Sequence, residues 1–173
     1  MAALDVRRYG DPILRQVARP VEAVTPEITA VVARMVESMW QQVGIGLAAP
    51  QVGIPLRIVV MDGGRGQARA LINPVILDGG GAVRAEEGCL SLPGIFADVE
   101  RRQWVRVRAL DGEGRPAEWR AENLEARVIQ HEMDHLDGVL FIDRLPPVTR
   151  DRIKKRIQKQ GFPEDARHHA FAL

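Results

Sequence analysis

Cysteine is nearly missing from this chain of 173 residues, where Cys89 is the only one. An internal disulfide is therefore excluded, and a reducing compartment is expected. Long apolar runs are missing as well. The longest falls well short of the ~20 residues that a membrane-spanning helix needs, so no membrane partner is expected. A strong net charge is absent, with 24 Lys plus Arg against 23 Asp plus Glu. That removes any whole-protein attraction to nucleic acid, and DNA is not expected as a partner. The opening MAALDVRRYG lacks the apolar core of a secretory signal, so a cytoplasmic location is expected. Internal repeats and low-complexity segments are also lacking. What remains is 46% apolar and 27% charged, the balance of a globular protein, and the length suits one domain over 1–173.

The apolar pattern places the elements. A helix is expected over 25–43, with Thr25 as its cap, Pro26 in the first turn, an apolar stripe from Ile28 to Val43, and Gly44 as its end. The following GIGLAAPQVGIP is too rich in glycine and proline to form a regular element. LRIVVMD (56–62), ARALINPVIL (68–77) and WVRVRAL (104–110) read as strands. DGEG then makes a turn, and AEWRAE a return strand. A helix from about Asn123 to Asp137, closed by Gly138, places Leu124, Val128, His131 and His135 on one apolar face. A basic helix at about 149–160 follows. The order of helix, strands and helix predicts an α+β fold.

QHEMDH (130–135) carries the chemistry. His131 and His135 stand one helical turn apart, so both imidazoles can converge on one metal ion with Glu132 beside it. The alternative is a helix with two polar core histidines, and polar groups on a core face need partners. The third ligand decides between classes. The zinc-peptidase continuation His-x-x-Gly-x-x-His meets Gly138 but ends on Phe141, which binds no metal. Glu164, His168 and His169 sit in a polar tail and carry little weight. Cys89, in the constrained EEGCLSLPG, is either a small buried hydrophobe or a thiolate ligand. Two imidazoles and a thiolate leave a fourth position for water, as catalytic sites do. Gly44 and Gly46 free space for a close-lying peptide backbone, and Val128, one turn before the histidine pair, is a candidate pocket residue.

GIGLAAPQ (44–51), EGCLS (87–91) and QHEMDH together, in this order and spacing, resemble the three signature motifs of peptide deformylases. The resemblance runs from the first helix to LFIDRL. It implies an α+β fold with the HExxH helix central among small, mostly antiparallel sheets. It implies hydrolysis of the formyl group from the N-terminal formyl-methionine of new proteins. Residue by residue, it implies Cys89, His131 and His135 as metal ligands and Glu132 as general base and acid. Gln51 and the Leu90 backbone N–H would hold the oxyanion, while Ile45 and Gly46 would bind peptide backbone. The implied metal is one Fe²⁺, with Ni²⁺, Co²⁺ or Zn²⁺ as substitutes. Arg127 stands one turn before His131, where some family members carry an aliphatic residue.

Two other functions fit the same helix. One is a metallopeptidase cleaving internal bonds. The other is a non-catalytic metal or redox sensor built on Cys89, against which Glu132 and Gln51 argue. For RDRIKKRIQKQ (150–160), a surface helix docked by Ile153 and Ile157 is the simpler reading. The resemblance adds ribosome contact, which salt should weaken.

Overall fold

A computed structural model describes residues 2–63 and 66–163. Its elements are helix α1 (Pro26–Gln41), strands β1 (Gly46–Ala48), β2 (Ile58–Asp62), β3 (Ala68–Gly80), β4 (Val83–Cys89), β5 (Leu92–Arg101), β6 (Trp104–Leu110) and β7 (Pro116–Glu122), and helices α2 (Asn123–Leu136) and α3 (Pro147–Gln160). The strands form an antiparallel five-stranded sheet in the order β1-β2-β3-β6-β7 and a separate β4-β5 hairpin. The expected α+β architecture is the observed one.

α1 begins as its sequence predicts, with the Thr25 hydroxyl accepting the Ile28 N–H at 3.4 Å and Pro26 in the first turn. It ends earlier than expected. Gln41 is its last residue, and Val43 rather than glycine takes the left-handed conformation at φ 57. Gly44 serves a different purpose, since a Cβ there would lie 2.7 Å from the Leu90 Cδ1. The segment expected to be irregular contains β1 and a 3-10 turn, Ala49–Val52.

α2 packs against β1, β2, β6 and β7. Val128, Ile129 and Leu136 join Val59, Leu71, Val105 and Val107 in one apolar cluster. Leu124, expected on the buried stripe, is instead 49% exposed at the start of the helix. A second cluster joins the β4-β5 hairpin to Phe141 and Ile142 and to Ile153 and Ile157 of α3. The third packs α1 on β1 and β2 through Met35, Met39, Leu47, Ile58 and Val60. The hairpin and α2 thus belong to different packing units, and the site lies where they meet.

Candidate active site

The tight turn Leu90–Ser91 between β4 and β5 puts Cys89 at the end of the hairpin, facing α2. Cys89, His131 and His135 are all buried, and one ligand atom from each lies within 4.8 Å of the others. His135 presents Nε2 to the sulfur at 3.3 Å. His131 uses Nδ1 for the Glu87 carboxylate, at 2.9 Å, which leaves Nε2 on the side of the site. Among the described residues, His131 Nε2, His135 Nδ1 and both Glu132 carboxylate oxygens are buried with no hydrogen-bond partner. Each such orphan costs about 1–3 kcal/mol in an otherwise satisfied interior. The thiol and the two imidazoles, each bringing one ligand atom within 4.8 Å of the others', form a donor set that fits a divalent transition metal, which prefers thiolate and imidazole ligands.

Charge states agree with that. Burial, and then the charge of Glu132, push the Cys89 thiol up, while the Ser91 and Leu92 N–H groups pull it the other way. Burial, and then the charge of Glu87, hold Glu132 well above the usual carboxylate range. Burial, followed by the neighbouring His131, holds His135 well below the ordinary imidazole range, so it is neutral and ready to ligate. A thiol and a carboxyl kept protonated by burial are groups whose protons a cation can displace.

Gln51 is fixed in one orientation. Its Oε1 accepts the Ala48 N–H at 2.9 Å. Its Nε2 donates to the Ser91 hydroxyl at 3.1 Å and lies 3.6 Å from the Cys89 sulfur. The amide N–H₂ therefore faces Ser91 and Cys89. Ile45 and Val128 meet in a cleft of about 380 Å³ that Met61 and Leu124 also line. Gly46 lies against Glu132, and a Cβ there would come within 2.8 Å of both Glu132 Oε1 and Val128 Cγ1. Gly46→Ala should therefore displace Glu132 by tenths of an ångström or more. The expected result is a loss of roughly 10²-fold in kcat with the thermal unfolding midpoint changed by only a few degrees. A parent-like kcat would mean that the carboxylate tolerates the methyl.

The match to a family model decides the identity of this arrangement. Residues 3–151 match the model described as polypeptide deformylase. The chain belongs to the peptide deformylase family. It is 52% identical to a peptide deformylase of Alkalilimnicola ehrlichii, over 92% of this chain and 91% of that one. It is 46% identical to that of Tolumonas auensis, over 92% of this chain and 96% of the relative. The structure superimposes on the Synechococcus elongatus peptide deformylase in complex with actinonin with a TM-score of 0.86, at 41% identity, covering 96% and 92% of the two chains. The Thermus thermophilus peptide deformylase gives the same TM-score at 42% identity, covering 90% of this chain and 93% of that one. As a deformylase, the chain is an enzyme, a hydrolase that removes the N-formyl group from newly made proteins.

Of the residues singled out from the sequence, Cys89, Gln51, His131, Glu132 and His135 come together here, Gly46 lies against Glu132 and Val128, Gly44 against the Leu90 side chain, and Ile45 and Val128 line the cleft. Glu164, His168 and His169 lie outside the described residues. Sequence reasoning missed the supporting layer. Glu87 has no exposed side-chain surface and holds His131; Arg101 pairs with it through Nε at 2.9 Å and Nη2 at 2.9 Å. Burial pushes the Glu87 carboxyl up, but His131 and the Arg101 guanidinium outweigh it and bring the group down to about 2. One signal was available. Glu87 and Cys89 are two apart on a strand, so they face the same way.

Proposed function

We propose that Cys89, His131 and His135 hold one divalent metal ion, Fe²⁺ in the native enzyme, with Ni²⁺, Co²⁺ or Zn²⁺ able to replace it. The observation that carries this reading is that Cys89, His131 and His135, all buried and drawn from two elements, each bring one ligand atom within 4.8 Å of the others'. Such a cation, when bound, lowers the pKa of water from about 16 towards 7 and so supplies the nucleophile at neutral pH.

The chain's own groups do the rest. Glu132, buried beside His131 and ionised when a cation lies close by, takes a proton from the attacking water and returns it to the departing amine, which leaves poorly unless protonated. The Gln51 amide and the Leu90 N–H stabilise charge on the formyl oxygen, each donor contributing about 3–4 kcal/mol in comparable sites. β1 is the end strand of its sheet, and Ile45 and Gly46 stand at its start, so a nascent peptide can lie along it by main-chain pairing. Gly44 and Gly46 permit that approach. The cleft beside Ile45 and Val128 receives an apolar first residue, methionine.

Formate release from a formyl-Met-peptide tests this reading, using Fe²⁺-loaded protein prepared without oxygen. Internal peptide cleavage without formate would favour the metallopeptidase. Metal binding without either product would favour the sensor. Thiolate-bound iron is open to oxidation, as is Cys89 itself. Activity should therefore decay in air within the preparation and persist when Ni²⁺ replaces Fe²⁺. Equal decay of both forms would contradict the iron assignment.

α3 supports a further partner. Ile153 and Ile157 dock it on the hairpin cluster, while Arg152, Lys155, Arg156 and Lys159 point outward. This is the arrangement for contact with ribosomal RNA. Co-sedimentation with ribosomes should fall steeply between ~50 and ~200 mM salt. Salt-independent co-sedimentation, or none at low salt, would remove this partner.

A further inference from the structure

Arg127 takes no part in the chemistry assigned above, yet it is only 6% exposed. Removing a guanidinium from water costs several kcal/mol unless its donors are used. Here they are used in one direction. Nη1 donates to Glu87 Oε2 and, at 2.9 Å, to the Val99 carbonyl; Nη2 donates to the Val83 carbonyl at 2.7 Å. All three acceptors belong to the β4-β5 hairpin, whereas Arg127 belongs to α2.

Arg101 cannot do the same. It lies on β5, so its two bonds to Glu87 stay inside the hairpin. Its link to α2 runs through Asp134, at 2.6 Å. Arg127, His131 and Asp134 lie at i, i+4 and i+7 on one face of α2. Two charged bridges therefore tie the helix to the hairpin, and His131 stands between them. Glu87 receives a donor from Arg127, a donor from His131 and two from Arg101. A carboxylate has about four acceptor positions, so Glu87 is saturated and its plane is fixed.

We propose that Arg127 is a positioning residue for the metal site. It clamps Glu87 and the hairpin to α2, and so holds Cys89 from one element and His131 from the other at the separation a divalent cation requires. This rests on the metal-site reading above. Outer partners of metal ligands typically govern about 10–100-fold in metal affinity or activity, and Arg127 reaches the imidazole through one carboxylate.

The test uses full-length protein loaded with Co²⁺, whose visible absorption reports the arrangement of its ligands. Arg127→Met keeps length and apolar stem but removes every donor. Its Co²⁺ bands should shift, its release of Co²⁺ to a chelator should be at least tenfold faster, and kcat should fall about tenfold with KM within twofold. Arg127→Lys retains charge without the fork and should fall between Arg127→Met and the parent in both spectrum and release. If Arg127→Met does not fold, Arg127→Lys carries the test alone, with release expected at least threefold faster than the parent. Parent-like bands and release in the folded variant, even with a lowered unfolding midpoint, would overturn the proposal and leave Arg127 a role in the fold only. A parent chain that takes up no Co²⁺ would overturn the metal-site reading itself, and is told apart because it needs no variant.

Discussion

Glu132→Ala should keep the metal and the fold while losing nearly all turnover. The side chain is buried, adjoins His131 on α2, and has no hydrogen-bond partner among the described residues. No neighbour loses a bond when it is removed. The proposed ligand set is complete without it, so occupancy should stay near one metal per chain. General acid and base work contributes about 10²–10⁴-fold, and one group serving both steps puts the loss at the upper end or beyond. The loss should appear in kcat more than in KM, because the group acts on the transition state. Occupancy must be measured by elemental analysis in the same sample, since losing a carboxylate beside a cation weakens its hold somewhat. Formate release within tenfold of the parent by the metal-loaded variant would show that another group carries the proton.

Cys89→Ala is expected to abolish activity by a different route. Two imidazoles remain, and the affinity should fall by more than the ~10–100-fold that loss of an outer partner costs. Unfolding separates this from damage to the fold. Cys89 is 3% exposed and packs with Leu92, Ile95 and Phe141, so the change removes one buried sulfur and no charge pair. The metal-free parent and the metal-free variant should therefore unfold within a few degrees of each other. Added Fe²⁺ or Ni²⁺ should raise the midpoint of the parent alone, because only a state that binds the ligand is stabilised by it. Full occupancy in the variant would place the third ligand elsewhere.

The central helix was legible because its apolar stripe and its two histidines share one period, and the structure keeps Val128, His131 and His135 buried. Leu124 departs from that pattern at the first turn, where the helix emerges beside the cleft. The β4-β5 hairpin was not legible as strands. Along VRAEEGC the position that alternation turns inward is Glu87, an acid, and its burial depends on Arg101 and Arg127, far away in the chain. Hydrophobic periodicity cannot announce a buried ion network whose members lie on three elements. The glycine-rich motif misled in a different way. Its glycines read as breakers of regular structure and as room for a peptide backbone, whereas around a short strand Gly44 gives clearance to Leu90, and Gly46 to Glu132 and Val128. The orientation of Gln51 also needed the fold, since the Ala48 N–H that selects its Oε1 is presented by a local turn.

Anomalous diffraction from Co²⁺-loaded crystals, recorded on both sides of the cobalt edge, tests the central claim most directly. The account predicts one peak per chain, within bonding distance of Cys89 Sγ, His131 Nε2 and one ring nitrogen of His135, with Glu132 close by but outside bonding distance. A peak bonded to the Glu132 carboxylate, or one lying away from Cys89, would contradict it.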